Sequence, residues 1–198
     1  MPSESGGETN SERPPEPWDS FLRSLDQAVD VNVDLHCLGG FAITMQYGLA
    51  RGTSDIDVIA VVPNYKLAEL QALAGEGSAL HNRYGVYLDL VTVAQFPENY
   101  ESRLIPMWPE FGFRHLRLFS LEAHDLALTK LERNVDRQDV ENLAAAGHLN
   151  QAALRERYLA EFRPNLTANL EKHDLTLELW IDLCWPGEGR LVLPEEAQ

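Results

Sequence analysis

The chain has 198 residues, of which 44% are hydrophobic and 24% charged, enough for one ordinary domain with a real core, or for such a domain with a small helical appendage. A net charge of −15 and a pI near 4.7 repel polyanions at long range, which argues against a broad nucleic-acid-coating surface but leaves room for a local basic pocket. No apolar run reaches the roughly 20 residues a bilayer span needs, the N-terminus has no signal-like region, and Cys37 and Cys184 stand far apart in no metal-like spacing, as in a cytoplasmic protein with reduced thiols.

Residues 1–17 are rich in Ser, Glu, Gly and Pro and almost free of apolar side chains, so they cannot offset their ordering entropy and are expected to be a disordered tail. Trp18 to Val29 is predicted helical from the spacing of Phe21, Leu22, Leu25 and Val29. Val31 to Leu38 alternates like a strand, Gly39-Gly40 breaks it, and Phe41 to Leu49 reads as a short apolar helix. Ile56 to Val62, rich in β-branched residues around Asp57, reads as a buried strand, ended by Pro63 and Asn64, with a helix over Tyr65 to Ala74. Further strands are predicted at Val86–Val93 and Arg114–Leu121. From Glu122 the period turns helical, over Glu122–Arg133, Asp136–Ala146, Gln151–Phe162 (stopped by Pro164) and Leu166–Cys184. The expectation is an α/β (α+β) fold: a small mixed β-sheet core over 18–121 flanked by helices, a helical region over 122–185, and a tail over 186–198 in which Leu191, Val192 and Leu193 are apolar enough to dock locally.

The chemistry concentrates between Leu38 and Asp57. Asp55 and Asp57 stand at i and i+2 where a strand begins, a spacing that puts both carboxylates on one face. Two carboxylates so close repel unless they share a proton or a cation, and hard divalent ions with oxygen ligands, Mg²⁺ or Mn²⁺, suit them. Gly39 and Gly40, between a strand and a helix, let backbone N–H groups approach a phosphate. Asp89 adds a third acid inside an otherwise apolar strand, where a lone carboxylate is expensive without a counter-ion or donors. Each feature alone has a plainer reading: a turn, a capped or solvated acid pair, an edge residue facing water. Their combination, in this order and with an apolar strand carrying each acid, points to a shared site.

That order of strand, Gly-Gly, helix, Asp-Ile-Asp and later strand Asp resembles the nucleotidyltransferase superfamily with the polymerase-beta-like fold. Within it, Arg51-Gly52-Thr53-Ser54-Asp55-Ile56-Asp57 resembles the Arg-x-Ser/Thr-x-Asp-h-Asp motif of the minimal transferases of bacterial toxin–antitoxin and abortive-infection systems, the AbiEii-like toxins. Asp125 to Lys130, with Arg133 and Asp139, is similar to their later helical motif. The resemblance implies catalytic and metal-ligating roles for Asp55, Asp57 and Asp89, and nucleotide contacts from Gly39, Gly40, Arg51, Thr53, Ser54, Lys130 and Asp139. On spacing alone, Lys130, Arg133 and Arg137 form a basic stripe only if their helix is continuous, and an ordinary solvated face with Glu132 and Glu141 as local partners is the plainer reading.

The expected activity is metal-dependent transfer of an NMP from an NTP to a hydroxyl of tRNA, another RNA, a protein or a small molecule. A toxin role would bring a cognate antitoxin protein as partner. Two rivals use the same residues: a nucleotide- or metal-binding module that has lost catalysis and acts through a protein partner, and a metal-dependent nuclease. Tyr100 and Arg103 are read as a surface loop that could line a groove, and Trp108 as a packing residue.

Overall fold

Helix α1 (Trp18–Ala28) forms because its apolar residues recur on one face, and the computed structural model, which describes residues 12–91, 95–131 and 137–187, buries Trp18, Phe21, Leu22 and Leu25 in the core. The chain separates into two compact units, 1–92 with 105–120, and 93–104 with 121–198.

The first unit is built on a five-stranded sheet of order β3-β2-β1-β5-β4. Strand β1 (Val33–Leu38) runs antiparallel to β2 (Asp55–Val62) and parallel to β5 (Leu116–Ser120). The outer strands are β3 (Tyr87–Leu90), parallel to β2, and β4 (Ile105–Met107), antiparallel to β5. Helices α2 (Gly39–Tyr47), α3 (Leu67–Ala74) and α4 (Ala79–Tyr84) complete the unit. Val33, Leu35, Ile56, Val58, Leu88, Leu116 and Leu118 share one core with the apolar face of α1. Cys37 is buried and Cys184 half-buried, both as free thiols. Among the described residues no helix is long and apolar enough to cross a membrane.

The mixed sheet and flanking helices agree with the sequence expectation, with local differences. The strand at Ile56–Val62 is buried alternately rather than throughout, and Val62 is exposed. The strand expected over Val86–Val93 covers Tyr87–Leu90, although the Val91 N–H still donates to the Val58 carbonyl at 2.9 Å; 92–94 lie outside the described residues. Two elements were not foreseen. Helix α4 carries its signals in the open, Ser78 accepting from the His81 N–H at its start and left-handed Gly85 at its end. Strand β4 has only three residues, one of them Pro106, which an edge strand tolerates because its missing N–H is not needed there.

Asp26, near the end of α1, fastens that helix to the start of β5. Its carboxylate accepts from the backbone N–H groups of Arg114, His115 and Leu116 at 2.9, 2.7 and 2.8 Å. Replacing it leaves three amides to find new acceptors in a poorly hydrated place. Asp26→Ala should lower stability by roughly 3 kcal/mol in urea unfolding, and Asp26→Asn by less, since one amide oxygen survives as an acceptor.

The second unit is helical: α5 (Ala123–Leu128), α6 (Arg137–Ala145), α7 (Gln151–Arg157), a wider turn over Tyr158–Phe162, and α8 (Leu170–Cys184). Asn150 caps α7 through the Ala153 N–H, and Pro164, expected to stop this helix, sits within a tighter turn over Arg163–Asn165 that closes it. Inside lies a web of charges. The fully buried Asp125 accepts from Arg103 at 2.9 and 3.0 Å and from Arg157 at 3.1 Å, and Arg103 also grips Glu161 at 2.8 Å. Arg103 is therefore an internal clamp rather than a groove-lining loop residue. Glu122 caps α5, pairs with Arg157, and accepts from His124 Nδ1 at 2.6 Å. The Asn150 N–H donates to His124 Nε2, so the ring proton sits on Nδ1.

Burial pushes the Glu122 carboxyl up, but its bonds to His124 and Arg157 outweigh that and hold it at about 2, below its ordinary 4.5. Because the folded value is the lower one, the stability this group contributes is complete above about pH 4.5 and is lost as pH falls toward 2. Glu122→Gln should flatten the acid limb of the melting-temperature profile in that window, as read by circular dichroism.

Candidate functional site

The parallel register of β2 with β3 sets Asp55 across from Tyr87 and Asp57 across from Asp89. Because side chains alternate, these four project from one face, while Ile56, Val58 and Leu88 anchor the other in the core. The carboxylates of Asp55, Asp57 and Asp89 converge: one oxygen from each lies within 4.8 Å of the others, with the first two half-buried and the third exposed. Among the described residues this is the one group of three or more acids, histidines or cysteines so placed. Three hard oxygen donors held this closely suit Mg²⁺ or Mn²⁺ in donor type and charge.

The glycine pair is built against these acids. Gly39 has φ +68°, the left-handed region, and a Cβ there would lie 1.7 Å from Asp57 Oδ2. At Gly40 a Cβ would come 3.3 Å from Arg51 Nε and from Thr53 Oγ1. Helix α2 thus begins directly against Asp57 and the Arg51–Thr53 stretch, with no side-chain cap on its first N–H groups. Its position is fixed from within the unit, since Phe41 meets Trp18 and Trp108 edge-on at 5.0 and 6.1 Å. Trp108 packs as expected, buried in the core.

The remaining residues of the Arg51–Asp57 segment have distinct places. Thr53 donates its hydroxyl to Asp55 Oδ1 at 2.8 Å and so orients that carboxylate. Thr44 ties down the Arg51 carbonyl at 3.0 Å, while the Arg51 side chain is exposed. Ser54 is exposed and its carbonyl accepts from the Tyr87 N–H. Behind Asp57, the thiol of Cys37 is pushed up by burial and then by the Asp57 charge, which leaves it inert.

Lys130 and Asp139 meet one another. They form a buried ion pair at 2.8 Å within the second unit. Helix α5 ends at Leu128 and α6 begins at Arg137, so the continuous helix that would align Lys130, Arg133 and Arg137 is not formed over the described residues; Arg133 lies outside them. Arg137 is exposed and bridges Glu141 at 3.0 Å. Asp125, from the same motif, is held by Arg103 and Arg157.

Sequence reading passed over Tyr87 and His81. Tyr87 shares the face of the acids, and its i, i+2 spacing to Asp89 was the available signal. Its hydroxyl pKa is raised by burial and then by Asp55, Glu76, Asp89 and Asp57. The His81 ring lies 4.8 Å from that of Tyr87 and its Nδ1 accepts from the Gly77 N–H, which leaves the ring proton on Nε2 in the neutral form.

Gly39→Ala should cost at least about 2 kcal/mol, from the left-handed backbone and the overlap with Asp57, whereas Gly40→Ala should cost far less. Because the atom in the way belongs to Asp57, Asp57→Ala should recover much of the loss in the Gly39→Ala background, which a double-mutant cycle by urea unfolding reads directly.

A family model described as "Nucleotidyltransferase of unknown function (DUF6036)" matches residues 19–180. No curated protein and no solved structure matches the chain.

Proposed function

The chain belongs to this family of nucleotidyltransferases, and from that premise we propose that the first unit moves an NMP from an NTP to a hydroxyl acceptor at Asp55, Asp57 and Asp89. The observation that carries this reading is the convergence of three carboxylate oxygens within 4.8 Å beside a glycine whose missing side chain makes room for one of them. Asp55 and Asp57, on one strand, would hold divalent metal together with the triphosphate, and Asp89, across the register, would complete the ligand set. Bound there, the metal supplies Lewis-acid polarisation of the phosphates and charge neutralisation for the departing pyrophosphate.

The protein's own groups do the rest. Thr53 keeps the Asp55 carboxylate in one orientation. The first N–H groups of α2, at Gly39 and Gly40, offer donors to phosphate oxygens. Asp89 is the most exposed of the three, and on this reading it would lie nearest the acceptor. As the acceptor oxygen bonds to the α-phosphorus and the bond to pyrophosphate breaks, Asp89 takes the hydroxyl proton. Lys130 and Asp139 would join this chemistry only by exchanging their mutual ion pair for contacts with the nucleotide, so the proposal rests on the residues of the first unit.

The test is incubation with each α-labelled NTP, Mg²⁺ and a total RNA and protein extract. Label should move to an acceptor, and Asp57→Asn should reduce transfer at least about 100-fold while leaving the fold intact. Unchanged transfer by Asp57→Asn removes the proposal. Binding of NTP without transfer favours a non-catalytic module, and RNA fragmentation without NTP favours a nuclease.

A further inference from the structure

Helix α8 carries apolar side chains on two opposite faces. One face, with Leu177, Trp180, Ile181, His173 and Asp174, is buried, and α8 packs there with α6 inside the second unit. On the other side Leu175, Leu179 and Leu183 are 65%, 52% and 45% exposed. Spaced four residues apart on a continuous helix, they stand in one seam. Single exposed leucines are ordinary, but these three form a continuous apolar strip opposite an engaged face, and among the described residues nothing covers it.

The charges beside the seam say what that partner is. At about 100° per residue, Asp182, Glu171 and Glu178 fall along one flank of the leucines, and the exposed Lys172 stands in line with the seam one turn before Leu175, so acids outnumber the cation three to one along it. An anionic membrane surface is repelled by such an edge. A second copy docked antiparallel would bring each acidic flank against its own equivalent, and two chains of net charge −15 repel besides. A cationic edge meets neither obstacle.

We propose that the outer seam of α8 is a docking surface for an amphipathic helix of a protein partner whose apolar stripe is edged by Lys or Arg. Leu175, Leu179 and Leu183 take the apolar stripe, and Asp182, Glu171 and Glu178 pair with the basic edge and set the direction of the docked helix. This surface is independent of the carboxylate site and stands whether or not that site is catalytic.

Two fluorescein-labelled 18-residue peptides test it, with the same leucine stripe edged by lysine in one and by glutamate in the other, each titrated with the full chain at physiological salt. The lysine-edged peptide should bind saturably at one per chain, and Leu175→Ser and Leu179→Ser should each weaken it roughly tenfold with the circular dichroism spectrum unchanged. Asp182→Lys, which leaves the leucines in place, should weaken the lysine-edged peptide and favour the glutamate-edged one. Equal binding to the leucine variants would mean diffuse attraction to an acidic protein and would overturn the proposal. So would co-sedimentation of the chain with phosphatidylserine–phosphatidylcholine vesicles that Leu179→Ser abolishes, or wild-type dimerisation in sedimentation velocity that the same variant abolishes.

Discussion

Mutual repulsion among Asp55, Asp57 and Asp89 is the constraint that the first unit is arranged to withstand. Three carboxylates would separate if their backbones were free, so their convergence has to be enforced by something stronger than the repulsion. That force is the burial of the residues between them. Ile56, Val58 and Leu88 lock β2 and β3 into the core on the opposite face, and a slip of one residue in either strand would drive acids into hydrocarbon. Gly39 adds a local condition, since only a residue without Cβ lets α2 begin where the Asp57 carboxylate stands. The acids are gathered by hydrophobic burial on the opposite face of the sheet.

The second unit handles charge in the opposite manner. Asp125 and Lys130 are buried, but each is met by opposite charge inside the same unit: Asp125 by Arg103 and Arg157, Lys130 by Asp139. Such sets satisfy themselves, and removing one member strands the rest in a low-dielectric place. Like charges converge in the first unit, while opposite charges pair in the second and hold its helices in place.

What could be read from the chain was whatever is encoded locally. The i, i+2 spacing of Asp55 and Asp57 in a strand fixed their common face, and the glycine pair between strand and helix announced a close approach. The position of Asp89 opposite Asp57 depended on one conditional, that its strand pairs with β2, and the register satisfies it. The partnership of Lys130 with Asp139 was out of reach, because both fit an outward-facing basic or acidic helix equally well until the packing of α5 and α6 is known. Arg103 was illegible for the same reason: its carboxylates lie 22 and 58 residues away in sequence. Tyr87 was legible and overlooked, hidden by the acid two residues on. Strand β4 gave no periodic signal in three residues.

The path of the backbone bears on how this protein can be divided. The chain changes unit three times, between 92 and 93, 104 and 105, and 120 and 121, so the stretch between β3 and β4 belongs with the helices that follow the sheet. A fragment that stops at Ser120 therefore keeps every strand yet carries Arg103 stripped of Asp125 and Glu161, while the complementary fragment leaves Glu161 without Arg103 and Asp125 with Arg157 as its remaining guanidinium. Cutting at the obvious end of the sheet would hand each half a stranded charge, and solubility trials on such pieces would measure that injury rather than the autonomy of either half.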